Sequence, residues 1–197
     1  MTKRFDALLF DAGGVFVVPD PLTTGMVLEP FGGSTNLSVL VRCHYAGMAA
    51  IDAATAEQAA NSIERISWSS YREAYAREAG VPEEKVTDAA VALLKVFSAF
   101  LWRFPLHESV AGLWRLHLLG IRIGIVSNAS GQIERTLANE NICQVGDGSG
   151  VPVLIVTDSH VVGIAKPEAE IFDEAIGAMN VPRDRIAYIG DSYINDV

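Results

Sequence analysis

The sequence predicts an α/β fold, a parallel sheet interrupted early by a long helical insert. Short apolar runs bounded by turn residues recur at 7–10, 121–126, 153–156 and 186–189, and helical spacing precedes the second of them and lies between the last two. Strands that alternate with helices imply a parallel sheet with right-handed crossovers. From about residue 36 to 104 the pattern is helical throughout, which reads as an insert rather than a single crossover.

Ala7-Leu8-Leu9-Phe10 suits a strand buried on both faces, and Asp11 follows at its carboxyl end, where ligands bind in open α/β sheets. Gly13 and Gly14 permit a sharp turn and close approach of the backbone to a ligand. An Asp after a strand is also an ordinary turn initiator or helix cap, so Asp11 by itself does not establish a site. Pro19-Asp20-Pro21 and Phe31-Gly32-Gly33-Ser34 mark loops. In the insert, Trp68, Tyr71, Tyr75 and Ala79 follow helical spacing and stop at Gly80. A second stripe of Val86, Ala90, Leu94, Phe97 and Leu101 lies behind Pro82. Aromatic stripes of this kind are core packing far more often than a cofactor site. Pro105 closes the insert, and a helix with Val110, Leu113, Trp114 and Leu118 on one face runs to Gly120. The run 121–126 ends in Ser127-Asn128, and the run 153–156 follows a Gly-rich loop at 146–150. A helix over 168–179, with Pro167 in its first turn, turns Ile171, Phe172, Ala175 and Met179 inward. The last run ends in Gly190-Asp191-Ser192.

The 197 residues suffice for one compact domain or for a core with a smaller insert. Half of them are hydrophobic and a fifth charged, which excludes extended disorder. A net charge of -9 argues against a general nucleic-acid or acidic-membrane surface. Cys43 and Cys143 lack metal-ligand spacing, and a chain of this size needs no disulfide framework, so a reducing cytoplasm fits. Lys3-Arg4 imitates the start of a signal peptide, but Asp6 and Asp11 interrupt the apolar stretch that would have to follow. Lys95 and Arg122 break the most apolar regions well short of the roughly twenty residues that span a bilayer. A soluble cytoplasmic protein without nucleic-acid or membrane partners is expected, its oligomeric state left open.

Asp11, Ser127 and Asp191 end three of the four predicted strands and, with Lys166, make a candidate site. Four motifs follow one another along the chain: Phe10-Asp11-Ala12-Gly13-Gly14-Val15, Ile125-Val126-Ser127-Asn128, Lys166-Pro167 and Gly190-Asp191-Ser192-Tyr193-Ile194-Asn195-Asp196. In these motifs and their order the chain resembles the haloacid dehalogenase-like (HAD) hydrolases, in the branch with a helical cap inserted after the first motif. The resemblance implies a Rossmann-like core at 1–16 and 105–197 and a helical cap domain at 17–104. It implies that Asp11 attacks phosphorus to give an aspartyl-phosphate, later hydrolysed by water. It implies Mg2+ held by Asp11, Asp191 and the backbone carbonyl of Gly13. Ser127, through its hydroxyl, and Asn128, through its N–H, would donate to phosphate oxygens, and Lys166 would steady the charge on Asp11 and the phosphate. Asp196 would orient Lys166 or a metal-bound water. Each residue has an ordinary reading too: Asp191 and Ser127 as helix caps, Lys166 as a solvated lysine before a proline-started helix.

The chain departs from the family pattern at Gly13. Phosphatases of the family usually carry a second Asp there, which protonates the leaving alcohol, and losing a general acid–base costs about two to four orders of magnitude in rate. A good leaving group, a metal-bound water or a cap residue such as His44 would have to substitute. The expected function is a magnesium-dependent hydrolase of small phosphorylated metabolites. A 2-haloacid dehalogenase is the alternative, since halide leaves unprotonated and Arg42 would clamp the substrate carboxylate. Those enzymes, however, carry Tyr at the place of Gly13 and lack the Asp at 191. A non-catalytic binding module is favoured by Gly13 and opposed by the presence of Asp11, Ser127, Lys166 and Asp191. The sequence stops at Val197, in the first turn after the fourth motif, where relatives continue through a helix and usually another strand. One sheet edge and one face are therefore expected to lie uncovered, with the end of the core cut short.

Overall fold

The computed structural model describes residues 4–59 and 68–196, so Lys3, part of the predicted helical insert at 60–67 and Val197 lie outside the described residues. In chain order the strands are β1 (Ala7–Phe10), β2 (Val17–Pro19), β3 (Trp102–Pro105), β4 (Arg122–Ser127), β5 (Cys143–Val145), β6 (Val151–Val153), β7 (Val156–Asp158) and β8 (Ile186–Ile189). The helices are α1 (Pro21–Leu28), α2 (Leu37–Ala59), α3 (Trp68–Glu78), α4 (Val86–Leu94), α5 (His107–Leu118), α6 (Ile133–Asn139), α7 (Ser159–Val162), α8 (Asp173–Met179) and α9 (Tyr193–Asp196). The fold is α/β, with a parallel sheet and helices. Two compact units emerge: one of Met1–Val17, Pro105–Asp191 and Asn195–Val197, the other of Val18–Phe104 with Ser192–Ile194.

In the first unit the main sheet has the order β7-β4-β1-β8, and its neighbouring strands run parallel. Phe10 lies level with Ile125 and Ile189, and Ser127 with Asp158, so the carboxyl ends of the strands open on one edge. Ala7, Leu9 and Val126 pack with Ile171, Ala175 and Met179 of the following helical segment. That packing leaves no room at Gly124, where an added Cβ would meet Leu9, Ile155 and Met179 at 2.8–3.0 Å. A glycine inside a strand here marks a close approach of a helix to the sheet.

Several expectations are corrected. The apolar run read as one strand at 153–156 is divided: Val151–Val153 pairs with Cys143–Val145 in a separate two-stranded sheet, and the main sheet takes Val156–Asp158. The helix read over 168–179 is a 3-10 turn at Ala169–Phe172 followed by α8, and Pro167 precedes both. On α5 only Leu113 of the predicted stripe is fully buried, while Trp114 is 38% and Leu118 79% exposed. The loop read at Pro19-Asp20-Pro21 starts α1, with Asp20 as N-cap accepting from Leu22 and Pro21 in the first turn. The stripe read through Leu101 breaks after Leu94, where Phe97 reaches the core from outside a helix.

In the second unit a core of Leu28, Leu40, Ile51, Tyr71, Tyr75 and Leu93, with smaller side chains between them, joins α1 to α4. The Tyr75 hydroxyl donates to the Leu40 carbonyl at 3.0 Å and meets Thr24 Oγ1 at 3.0 Å, so its polar tip is satisfied inside the apolar core. No helix among the described residues is long and apolar enough to cross a membrane.

Candidate active site

Asp11 follows β1 at the centre of the main sheet, and the turn beyond it is tight: Gly14 adopts φ 67°, and Phe16 and Val17 both donate to the Ala12 carbonyl. Asp11 as a whole is 8% exposed. Its Oδ1 accepts from the Ala12 N–H at 2.6 Å and its Oδ2 from Lys166 Nζ at 2.7 Å, and the Ser127 hydroxyl also bonds to the group. Burial pushes its carboxyl above the ordinary range, and the opposing pulls of Lys166 and Ser127 only partly offset this.

Lys166 lies in a loop far along the chain, yet its side chain is 1% exposed. The Asn128 amide explains how that loop is fixed: Nδ2 donates to the Lys166 carbonyl at 3.0 Å and Oδ1 accepts the Lys166 N–H at 2.8 Å. The Asn128 side chain thus copies one rung of a strand ladder across 38 residues. At its other end Lys166 Nζ donates to Asp196 Oδ1 at 2.6 Å as well as to Asp11. Gly190 gives Asp196 its place, because a Cβ at 190 would fall on the Asp196 carboxylate.

Asp11, Asp191 and Asp196 each offer a carboxylate oxygen within 4.8 Å of the others. Three oxygen donors so close repel one another and suit a hard divalent cation, which this donor set fits better than a soft metal. Asp11, Ser127, Asn128, Lys166, Asp191 and Asp196 therefore meet at the strand ends, with Gly13 in the adjoining turn. His44 and Arg42 lie inside the second unit. His44 is 2% exposed and bonds through Nδ1 to the Tyr71 hydroxyl at 2.8 Å, a packed core histidine. Arg42 donates to the Ser38 carbonyl and faces Glu78 at 3.8 Å on an exposed helix face.

Two residues escape the sequence reading. Tyr188, inside the apolar run of β8, puts its hydroxyl 2.8 Å from Lys166 Nζ. The signal is a tyrosine in an otherwise apolar strand, since a buried phenol needs a polar partner. Asp158, hidden by the misplaced third strand, is 5% exposed and ties down the loop after β4. Its Oδ2 accepts from Gly131 at 2.9 Å and Ile133 at 3.4 Å, and its Oδ1 from His160 at 3.0 Å.

The chain has relatives among known proteins. It is 31% identical over 122 residues to the mouse haloacid dehalogenase-like hydrolase domain-containing protein 3, an alignment covering 61% of this chain and 45% of the mouse protein. The chain spans less than half the length of the curated relatives it matches. Among solved structures it resembles magnesium-bound YfnB of Bacillus subtilis, with TM-score 0.54, 15% identity and coverage of 99% of this chain and 82% of that one. A HAD phosphatase from Thermococcus onnurineus matches with TM-score 0.51, 16% identity and coverage of 98% and 80%. A dehalogenase in an intermediate complex matches with TM-score 0.52, 13% identity and coverage of 99% and 80%. Identities this low speak for a shared fold alone. The family model described as "haloacid dehalogenase-like hydrolase" matches residues 5–197, nearly the whole sequence, and the chain belongs to that family of hydrolases.

Proposed function

We propose that the protein is a magnesium-dependent phosphatase of small phosphorylated metabolites, working through an aspartyl-phosphate on Asp11. The observation that carries this reading is the meeting of Asp11, Asp191 and Asp196 within 4.8 Å, beside the buried ammonium of Lys166. Asp11, Asp191 and the Gly13 carbonyl would hold Mg2+, which when bound offsets the repulsion between an anionic substrate and the carboxylates. An Asp11 oxygen forms the bond to phosphorus as the bond to the leaving oxygen breaks. The Ser127 hydroxyl and Asn128 N–H donate to the phosphate oxygens, and Lys166 balances charge as it moves from Asp11 onto the transferring group. Attack by water then restores the Asp11 carboxylate and releases inorganic phosphate. The turn after Asp11, from Ala12 to Phe16, carries no protic side chain, so the reading favours substrates whose leaving oxygen departs as a stable anion.

A 2-haloacid dehalogenase would tolerate Gly13 equally well, because halide needs no proton. Against it stand the pairing of Arg42 with Glu78 and the cluster of carboxylates, which would repel a carboxylate substrate. A cytoplasmic setting is proposed on the two buried, unpaired thiols of Cys43 and Cys143, each pushed up to about 12 by burial and so unreactive. The decisive assay is release of p-nitrophenol from p-nitrophenyl phosphate with and without magnesium, beside Asp11→Asn and a panel of sugar and nucleotide monophosphates. Metal-dependent turnover lost in the variant is expected; a folded protein with no turnover would sink the phosphatase reading and turn the search to 2-haloacids.

A further inference from the structure

We propose that Tyr188 is a positioning residue of the site, whose hydroxyl fixes Lys166 Nζ against the Asp11 carboxylate. An ammonium has three protons to donate, and Lys166 has three acceptors: Asp196 Oδ1 at 2.6 Å, Asp11 Oδ2 at 2.7 Å and Tyr188 Oη at 2.8 Å. The lysine side chain is 1% exposed, so its three protons are met by these protein acceptors. Of the three, Tyr188 alone is carried by a strand of the sheet, β8, whereas Asp11 and Asp196 sit beyond strand ends. Its ring is wedged edge-on against Phe172, with centroids 4.9 Å apart. Its hydroxyl lies 3.1 Å from both the Val126 carbonyl and Asp196 Oδ1, so its single proton is donated onto the same framework. Tyr188 is therefore a rigid stop. It takes up one lysine N–H and leaves the other two directed at the carboxylates, which is how a reactive geometry is held by groups that touch no substrate.

The inference rests on the proposed reaction only for its kinetic test. Tyr188→Phe keeps the ring and removes the oxygen. With p-nitrophenyl phosphate and magnesium at 25 °C, its kcat per folded protein is expected to fall at least about tenfold, with KM within about twofold of wild type. An unchanged kcat, a change confined to KM, or an activity loss explained by unfolded protein overturns the proposal. A crystal structure of the variant decides independently of turnover. Nζ is expected to leave Asp11 Oδ2 beyond about 3.5 Å, and Nζ still seated on Asp11 overturns the proposal. If the wild type itself turns nothing over, the phosphatase reading fails and the crystal structure alone decides the role of Tyr188.

Discussion

Gly14 carries the left-handed φ of 67° in the turn after Asp11, and Gly13 does not. The φ at 13 therefore does not demand glycine, so an Asp there needs no left-handed backbone. If the missing proton donor limits the reaction, Gly13→Asp should raise kcat/KM on alkyl phosphates by about a hundredfold or more while changing p-nitrophenyl phosphate little. A plot of log kcat/KM against leaving-group pKa, steep for wild type and flat for the variant, is the expected result; two parallel lines would show that protonation is not limiting. Asp11 has its own cost. Its carboxyl is raised chiefly by burial, against the pull of Lys166. An acid whose folded pKa lies above its unfolded one stabilises the fold below the unfolded value and loses that contribution as pH rises through the folded value. In metal-free protein the urea midpoint of Asp11→Asn should therefore gain on wild type as pH rises above about 4, and a constant difference would contradict it. Asp11, Ser127, Lys166 and Asp191 were legible because polar residues at the ends of apolar runs stand out along a sequence. Tyr188 was not, since it lies within such a run and its role depends on a lysine brought near by folding.

Asp158 shows what an element's end can do beyond presenting chemistry. It closes β7 and caps α7 while holding Gly131 and Ile133 at the start of α6. Asp158→Ala leaves these N–H groups without their acceptor, and a loss of about 1–3 kcal/mol is expected, read from urea midpoints. A variant within about 0.5 kcal/mol of wild type would mean that water or neighbouring carbonyls take over. Strands β1, β4 and β8 could be read to within a residue because each is one apolar run bounded by turn residues. The run 153–156 could not, because an apolar run does not reveal where a chain leaves one small sheet for another. On α5 the periodicity was real, but Leu118 is 79% exposed, so helical apolar spacing does not by itself make a buried face. α1 was missed because Asp-Pro signals a loop and a helix start alike.

At the scale of the molecule, the order of four motifs conveyed the family and the alternation of strands with helices conveyed the parallel sheet, while the side-chain bonds that join the motifs became visible only in three dimensions. The carboxylates that meet at the strand ends make the fold's stability depend on what neutralises them. Magnesium at about 100 times its Kd should stabilise the protein by about 2.7 kcal/mol, seen as a higher melting temperature, and Asp191→Asn should remove most of that gain. Equal shifts in both proteins would place the ion elsewhere. The clasp between Asn128 and Lys166 has a further consequence. The Lys166 amide bonds to a side chain, as does the Ala129 amide to Ser159 Oγ, and neither belongs to a helix or strand ladder. Segments 38 residues apart along the chain thereby become one opening unit, so these two loop amides should exchange with deuterium slowly and at a common rate.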